Sequence, residues 1–264
     1  MLPRWPYWSS LPNTRIDLAY DGARFHGYQI QPHLRTVEGE VVRALSTILD
    51  HPVKLISAGR TDAGVHAAHQ VANFHSDKPI DCYRLKGGVE RLTDDDITIR
   101  EVTSVSDGFH ARFHATARVY RYFFTNHPIP MWARHRITVV PIESIDLSLD
   151  IGSLLVGTYD FKNLSRVVPK TKSTIRTLTQ ATLTKQTLND LYSDRSWPIY
   201  CIEIEGNSFL HGMVRHIVGA LFELLKKNAT ITDFNRLFTA AHTLSYNYTS
   251  APAPGLCLTQ IKYS

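Results

Sequence analysis

Between Thr14 and Tyr20, apolar Ile16 and Leu18 alternate with polar Arg15 and Asp17, the period-two pattern of a half-buried strand. Asp21-Gly22 ends it, and a loop rich in glycine, histidine and glutamine follows. Thr36 then reads as a helix N-cap, with Glu38 and Glu40 in the first turn, where carboxylates suit the helix dipole. Val37, Val41, Leu45, Ile48 and Leu49 recur at helical spacing and predict a helix ending at Leu49. A strand is expected at Val53–Ser57, then a glycine-bounded loop from Gly59 to Gly64, then a strand near Gln70–His75. A helix around Tyr83–Glu90 and a strand over Asp96–Val105 complete the first half.

The second half opens on Arg118–Thr125, a strand rich in tyrosine and phenylalanine. A helix is predicted around Ile145–Val156, with strands near Thr177–Thr184 and Ile199–Glu205. Helices at Phe209–Lys226 and Thr232–Ala241 precede a last strand at Leu256–Tyr263. The strands lack the long apolar runs of a doubly wound parallel sheet, so the expected class is α+β. Two halves are expected, residues 1–105 and 106–264, meeting near 105–118. No fixed-period repeat or low-complexity tract appears.

Composition narrows the class further. Forty-three per cent apolar and 20% charged residues in 264 are ordinary globular usage, which excludes a disordered chain and a collagen-like repeat. Cys82, Cys201 and Cys257 are scattered, with no C-x-x-C, so neither a disulfide framework nor a zinc site is expected. No run approaches the ~20 apolar residues of a membrane span. The start, Met1-Leu-Pro-Arg-Trp-Pro, lacks the apolar stretch of a secretory signal. A cytoplasmic protein is the expectation.

The net charge of +5 permits a nucleic-acid partner without establishing one. Its distribution says more. Residues 108–142 carry five arginines (Arg112, Arg118, Arg121, Arg134, Arg136) and no acid; residues 161–189 carry six basic side chains, among them Arg166, Lys170 and Lys172, again with no acid. Even spreading would put roughly 7 basic and 6 acidic groups in these windows. They describe either a solvated basic face or a phosphate-tracking surface.

No Walker loop, no G-x-G-x-x-G and no H-E-x-x-H is present, which removes nucleotide-cradling and zincin readings. The closest histidine pairs, His66/His69 and His110/His114, have no cysteine or carboxylate at ligand spacing. Three other segments carry candidate chemistry. In Gly59-Arg60-Thr61-Asp62-Ala63-Gly64, two glycines bracket an arginine and an aspartate between strands. Such a loop either presents a carboxylate at a cleft edge or closes a local Asx-turn. In Arg118-Val-Tyr-Arg-Tyr122, Tyr120 shares a strand face with Arg118 and Tyr122, which suits either base stacking beside phosphate-binding cations or a place in the core. In the largely apolar stretch Phe209–Gly219, Arg215 is out of place, since a buried guanidinium requires an anionic partner. Asp62 is a chemically sensible one.

The run A-G-R-T-D-A-G-V-H-A at 58–67 resembles the signature of the TruA family of tRNA pseudouridine synthases. The resemblance extends to Y-D-G-A-R-F-H-G-Y-Q-I-Q at 20–31, F-H-A-R at 109–112, A-R-V-Y-R-Y at 117–122, F-L-H-G-M-V-R-H-I-V-G at 209–219 and A-P-x-x-G-L at 251–256. It implies an α+β fold of two similar halves flanking a basic cleft, a homodimer, no cofactor and no metal. The implied substrate is uridine at tRNA positions 38, 39 and 40, in the anticodon arm. By the same resemblance, Asp62 matches the catalytic aspartate and Arg215 the arginine paired with it. Arg60 matches the arginine that helps flip and hold the nucleotide, and Tyr120 the tyrosine stacked on the base. Three departures stand out: Gly-Val-Glu-Arg-Leu-Thr-Asp-Asp-Asp at 88–96 stands in place of Asn-x-x-Leu-Pro, Tyr159 replaces a histidine in Gly157-Thr-Tyr-Asp-Phe161, and Gly212 stands where a larger residue is common.

Isomerising uridine breaks the N1–C1′ bond, turns the freed uracil and rejoins it through C5. A carboxylate serves as nucleophile or base without redox help, which fits an ionised Asp62 beside an arginine. Two rival classes remain: a non-catalytic tRNA-binding protein on the same fold, and a metal-dependent RNA hydrolase using Asp62, His66 and His69.

Overall fold

The computed structural model describes residues 11–166, 173–238 and 247–264. Lys170, Lys172 and the end of the helix expected to reach Ala241 lie outside them. The chain divides into two compact units, Met1–Thr116 with Leu258–Ser264, and Ala117–Cys257. Both are α+β.

In the first unit, β1 (Asn13–Tyr20) is followed by α1 (Val37–Leu49), β2 (Ile56–Ser57), β3 (His66–His75), α2 (Cys82–Leu92) and β4 (Ile97–Val105). The chain's last strand, β10 (Leu256–Tyr263), joins them in the order β4-β1-β3-β10. β1 runs antiparallel to both β3 and β4. Its apolar positions turn inward as expected, with Ile16 and Leu18 fully buried, but the opposite face is covered too and Asp17 is buried. The helices bury Val37, Val41 and Leu45 from α1 and Leu85 and Val89 from α2. Thr36 caps α1 by accepting the Gly39 N–H at 3.3 Å. The strand expected from Val53 is paired only at Ile56 and Ser57, whereas β3 begins at His66, four residues before the alternation becomes legible.

The second unit contains β5 (Ala115–Thr125), β6 (Thr138–Val139), α3 (Ile151–Leu155), β7 (Gly157–Asp160), β8 (Ile175–Asn189), β9 (Ser196–Gly206), α4 (Met213–Leu225) and α5 (Ile231–Asn235). The strand order is β5-β9-β8-β7, with β6 lying parallel on β5. Against these strands α4 buries Ile217, Val218, Leu221 and Phe222. Its Phe222 ring meets Tyr122 and Phe124 of β5 at centroid distances of 5.8 and 5.0 Å.

Three expected elements change length for local reasons. The helix expected over 145–156 shrinks to α3, because Asp146 binds the Ser148 N–H and hydroxyl, and Asp150 supplies the cap at Ser153. The strand expected to stop at Thr184 continues to Asn189, paired with β9 to the tip of their hairpin. Finally, α4 starts at Met213 rather than Phe209, because Gly212 takes a left-handed φ of 71° that a helix interior excludes. Among the described residues, no helix is long and apolar enough to cross a membrane.

Candidate active site

The loop carrying Arg60 and Asp62 enters β3 and is held by the segment that leaves β1. Tyr28 N–H donates to the Thr61 carbonyl at 3.0 Å, and Gly64 N–H to the Phe25 carbonyl at 3.3 Å. Tyr20 Oη lies 2.8 Å from Thr61 Oγ1, both buried. Gly22 packs so closely that a Cβ there would stand 2.1 Å from the Val65 carbonyl oxygen. His66 completes the clamp, its Nδ1 accepting the Gly22 N–H at 3.1 Å. The main chain itself closes the turn, Val65 N–H donating to the Asp62 carbonyl at 3.1 Å. Asp62 is half-buried and Arg60 exposed. The support of this turn thus includes main-chain bonds on both sides of Asp62.

The clamp also accounts for the histidines. The same His66 Nδ1 lies 3.1 Å from the Asp21 carboxylate. His69 directs Nε2 at the Asp17 carboxylate (3.0 Å), and its Nδ1 accepts the Ile261 N–H at 3.3 Å. Among the described residues, no group of three His, Cys, Asp or Glu side chains is placed to hold a metal ion. The hydrolase reading therefore has no ligand set there.

Tyr120 and Arg215 belong to the second unit. Tyr120 is 7% exposed, and its ring meets Phe209 edge-on at 5.1 Å and 78°. Phe209 thus joins the candidate site; in the sequence it reads only as one more apolar position on the α4 stripe. Beside Tyr120, Tyr122 is wholly buried; its hydroxyl donates to Thr138 or the Pro252 carbonyl, and burial pushes it up to about 12. The flanking arginines are not the phosphate-binding cations the alternation offers. Arg118 is buried and donates to the Asn207 carbonyl at 2.7 Å, and Arg121 pairs with Glu203 across β9 at 2.5 Å.

Arg215 is half-buried rather than enclosed, so its need for an anion is weaker than the apolar sequence around it implies. Its Nε donates to the Ala251 carbonyl at 2.7 Å, and Ala251 N–H returns a bond to the Arg215 carbonyl at 2.9 Å. Gly219 makes this exchange possible, since a Cβ there would lie 1.9 Å from the Thr249 carbonyl oxygen. A cation in the first turn of a helix opposes the dipole, so Arg215 is not there to stabilise α4.

The two clamped regions coincide with the motifs quoted from the sequence. A family model described as tRNA pseudouridine synthase matches residues 152–264. A protein of Pseudoalteromonas translucida named tRNA pseudouridine synthase A is 38% identical over 215 residues, covering 79% of this chain and 76% of the relative. One of the same name from Bacteroides thetaiotaomicron is 34% identical over 248 residues, 94% of this chain and 89% of the relative. The chain belongs to the tRNA pseudouridine synthase family. Within this family member, motif 20–31 serves as the backing of motif 58–67, and motif 251–256 as the backing of motif 209–219. Sequence spacing separates each pair by tens of residues and gives no sign that they touch.

Proposed function

We propose that this chain isomerises uridine to pseudouridine in the tRNA anticodon arm, at positions 38, 39 and 40, as a cytoplasmic homodimer. Asp62 is the catalytic carboxylate and Arg215 the cation that pairs with it, keeping it ionised against desolvation. Tyr120 stacks on the target base, and Arg60 helps hold the nucleotide out of its stack. Extrusion costs a few kcal/mol, which those contacts offset. The reaction is redox-neutral, and the ribose and uracil atoms are all retained in the product.

The observation that carries this reading is the Asp62 loop. It is bound through Thr61, Gly64 and His66 by the 20–28 segment, in a chain whose relatives bear the name tRNA pseudouridine synthase A. Incubating unmodified tRNA with the protein tests it. The expected product is pseudouridine at positions 38 to 40, with no free uracil and no strand cleavage. Tight binding without pseudouridine would make this a tRNA-binding protein on the same fold, and cleavage would point to a hydrolase.

A further inference from the structure

The Phe109-His110-Ala111-Arg112 motif has no task in the reaction proposed above. Its first three residues are accounted for inside the first unit. The Phe109 carbonyl accepts Asn13 Nδ2 at 2.9 Å, and Ala111 N–H donates to Asn73 Oδ1 at 2.9 Å. Asn13 and Asn73 are themselves buried and joined, Asn73 Nδ2 donating to Asn13 Oδ1 at 2.9 Å. Tyr263 of β10 donates to the Ala111 carbonyl at 2.7 Å. His110 Nδ1 lies 3.2 Å from the N–H groups of both Arg112 and Phe113, so the imidazole caps the turn as an acceptor.

What that scaffold displays is not explained by packing. Arg112 and His114 are exposed, and Phe113 leaves 54% of its surface in water. The Phe113 and His110 rings lie 4.3 Å apart at 33°, forming a fixed aromatic pair. Within the turn itself, residues 109–114, Arg112 and two histidines stand with no acid. Burial first, and then the charges of His114, Arg112 and His75, hold the His110 imidazole below its usual range. The exposed carboxylate of Asp107 precedes the turn, and Asp17 is engaged by Arg15 and His69. An exposed aromatic beside cations on a rigid backbone matches the chemistry of RNA, whose bases stack and whose phosphates take guanidinium.

We infer that the 109–114 turn is a tRNA anchor, with Arg112 on a phosphate and Phe113 stacked on a base or sugar face. The inference rests on tRNA being the substrate. Asn73 lies seven residues along β3 from His66, where the Asp62 loop ends, so the anchor stands about 23 Å from the loop at a strand rise of ~3.3 Å per residue. Such a contact grips the molecule away from the reacting uridine and is expressed in affinity.

The test is binding of labelled unmodified tRNA at several salt concentrations, read without turnover. Arg112→Ala with Phe113→Ala should raise Kd about tenfold or more, the effect expected of a lost stack. The slope of log Kd against log salt should shrink by about one phosphate contact. Arg112→Lys and Phe113→Tyr should restore most of the affinity. Wild-type Kd and slope in the double variant would overturn the anchor, and a changed oligomeric state at unchanged Kd would assign the turn to a protein contact. Should the double variant lose its melting transition, Arg112→Gln decides by the salt slope alone. Wild-type protein that binds tRNA but makes no pseudouridine would reject the enzymatic reading and leave the anchor to be judged on binding. Wild-type protein that does not bind tRNA would reject both.

Discussion

Asp62 and Tyr120 have different supports, and their substitutions separate by mechanism. Asp62 projects from a turn whose hydrogen bond is made by main chain, so Asp62→Asn keeps the loop and removes the charge. Pseudouridine formation should vanish while tRNA affinity stays within about tenfold, roughly 1.4 kcal/mol. Product quantified by mass spectrometry beside a binding titration checks this, and normal turnover would remove Asp62 from the chemistry. Tyr120 is buried edge-on against Phe209, an arrangement that uses the ring. Tyr120→Phe should keep substantial activity, and Tyr120→Ala should lose it strongly, since stacking is worth about 1–3 kcal/mol by truncation. Equal inactivity of the two variants would assign the chemistry to the hydroxyl. Of these residues, Asp62 between its glycines and Arg215 in an apolar stretch were conspicuous in the chain. Phe209, Tyr20 and Thr61 were not, because their roles are contacts between distant residues and leave no local signature.

At the scale of elements, the two faces of the first unit's sheet meet different demands. Asp17 of β1 is taken up by Arg15, at 2.6 and 2.7 Å, and by His69 of β3 at 3.0 Å. Burial would raise its pKa, but hydrogen bonds from His69 and then Arg15 outweigh burial and hold the carboxyl below its usual range. A depressed folded-state pKa adds stability above the unfolded-state value near 4, and that stability is lost as pH falls through the folded value. Asp17→Asn should therefore cost about 2 kcal/mol at pH 7. The loss should shrink as pH falls below about 4, and denaturant melts at neutral and acid pH read it directly. A constant difference between variant and parent across the range would contradict it. Gly22 tests the clamp: in Gly22→Ala the new methyl meets the Val65 carbonyl, so β1's exit and the Asp62 loop must separate. We expect about 1–3 kcal/mol of destabilisation, the usual range for overpacking, and a fall in turnover with Asp62 intact. Turnover at the wild-type rate would mean the loop tolerates displacement.

At the scale of the whole molecule, the last strand is the informative one. β10 is continuous in sequence with the second unit yet completes the first, where Tyr263 and Ile261 bond to Ala111 and His69. Dimerisation belongs to this scale as well. If protomers share one tRNA, two inactive variants should complement: Asp62→Asn, and one with Arg166, Lys170 and Lys172 changed to Ala. Refolded together, they should form mixed dimers with partial activity, one protomer supplying the aspartate and the other the grip. Mixed dimers that remain dead would place grip and chemistry on the same protomer.

The sequence by itself determined the class of fold, the order of most strands and helices, and the residue types with chemistry to offer. Those depend on periodicity and local capping, which act over a few residues: Thr36 begins α1, and Ile16 and Leu18 turn inward, because neighbouring positions dictate it. Tertiary structure decided everything that depends on approach between distant segments. It gave Gly22 and Gly219 their reason, since only a backbone without Cβ lets Val65 and Thr249 come so near. It turned Arg118 from a candidate phosphate ligand into a buried donor to Asn207, and it left Arg112 and Phe113 exposed on a turn anchored to Asn13, Asn73 and Tyr263. Local pattern reports which face a side chain takes; which partner it meets there is set by contacts across tens of residues, and those follow only from the folded chain.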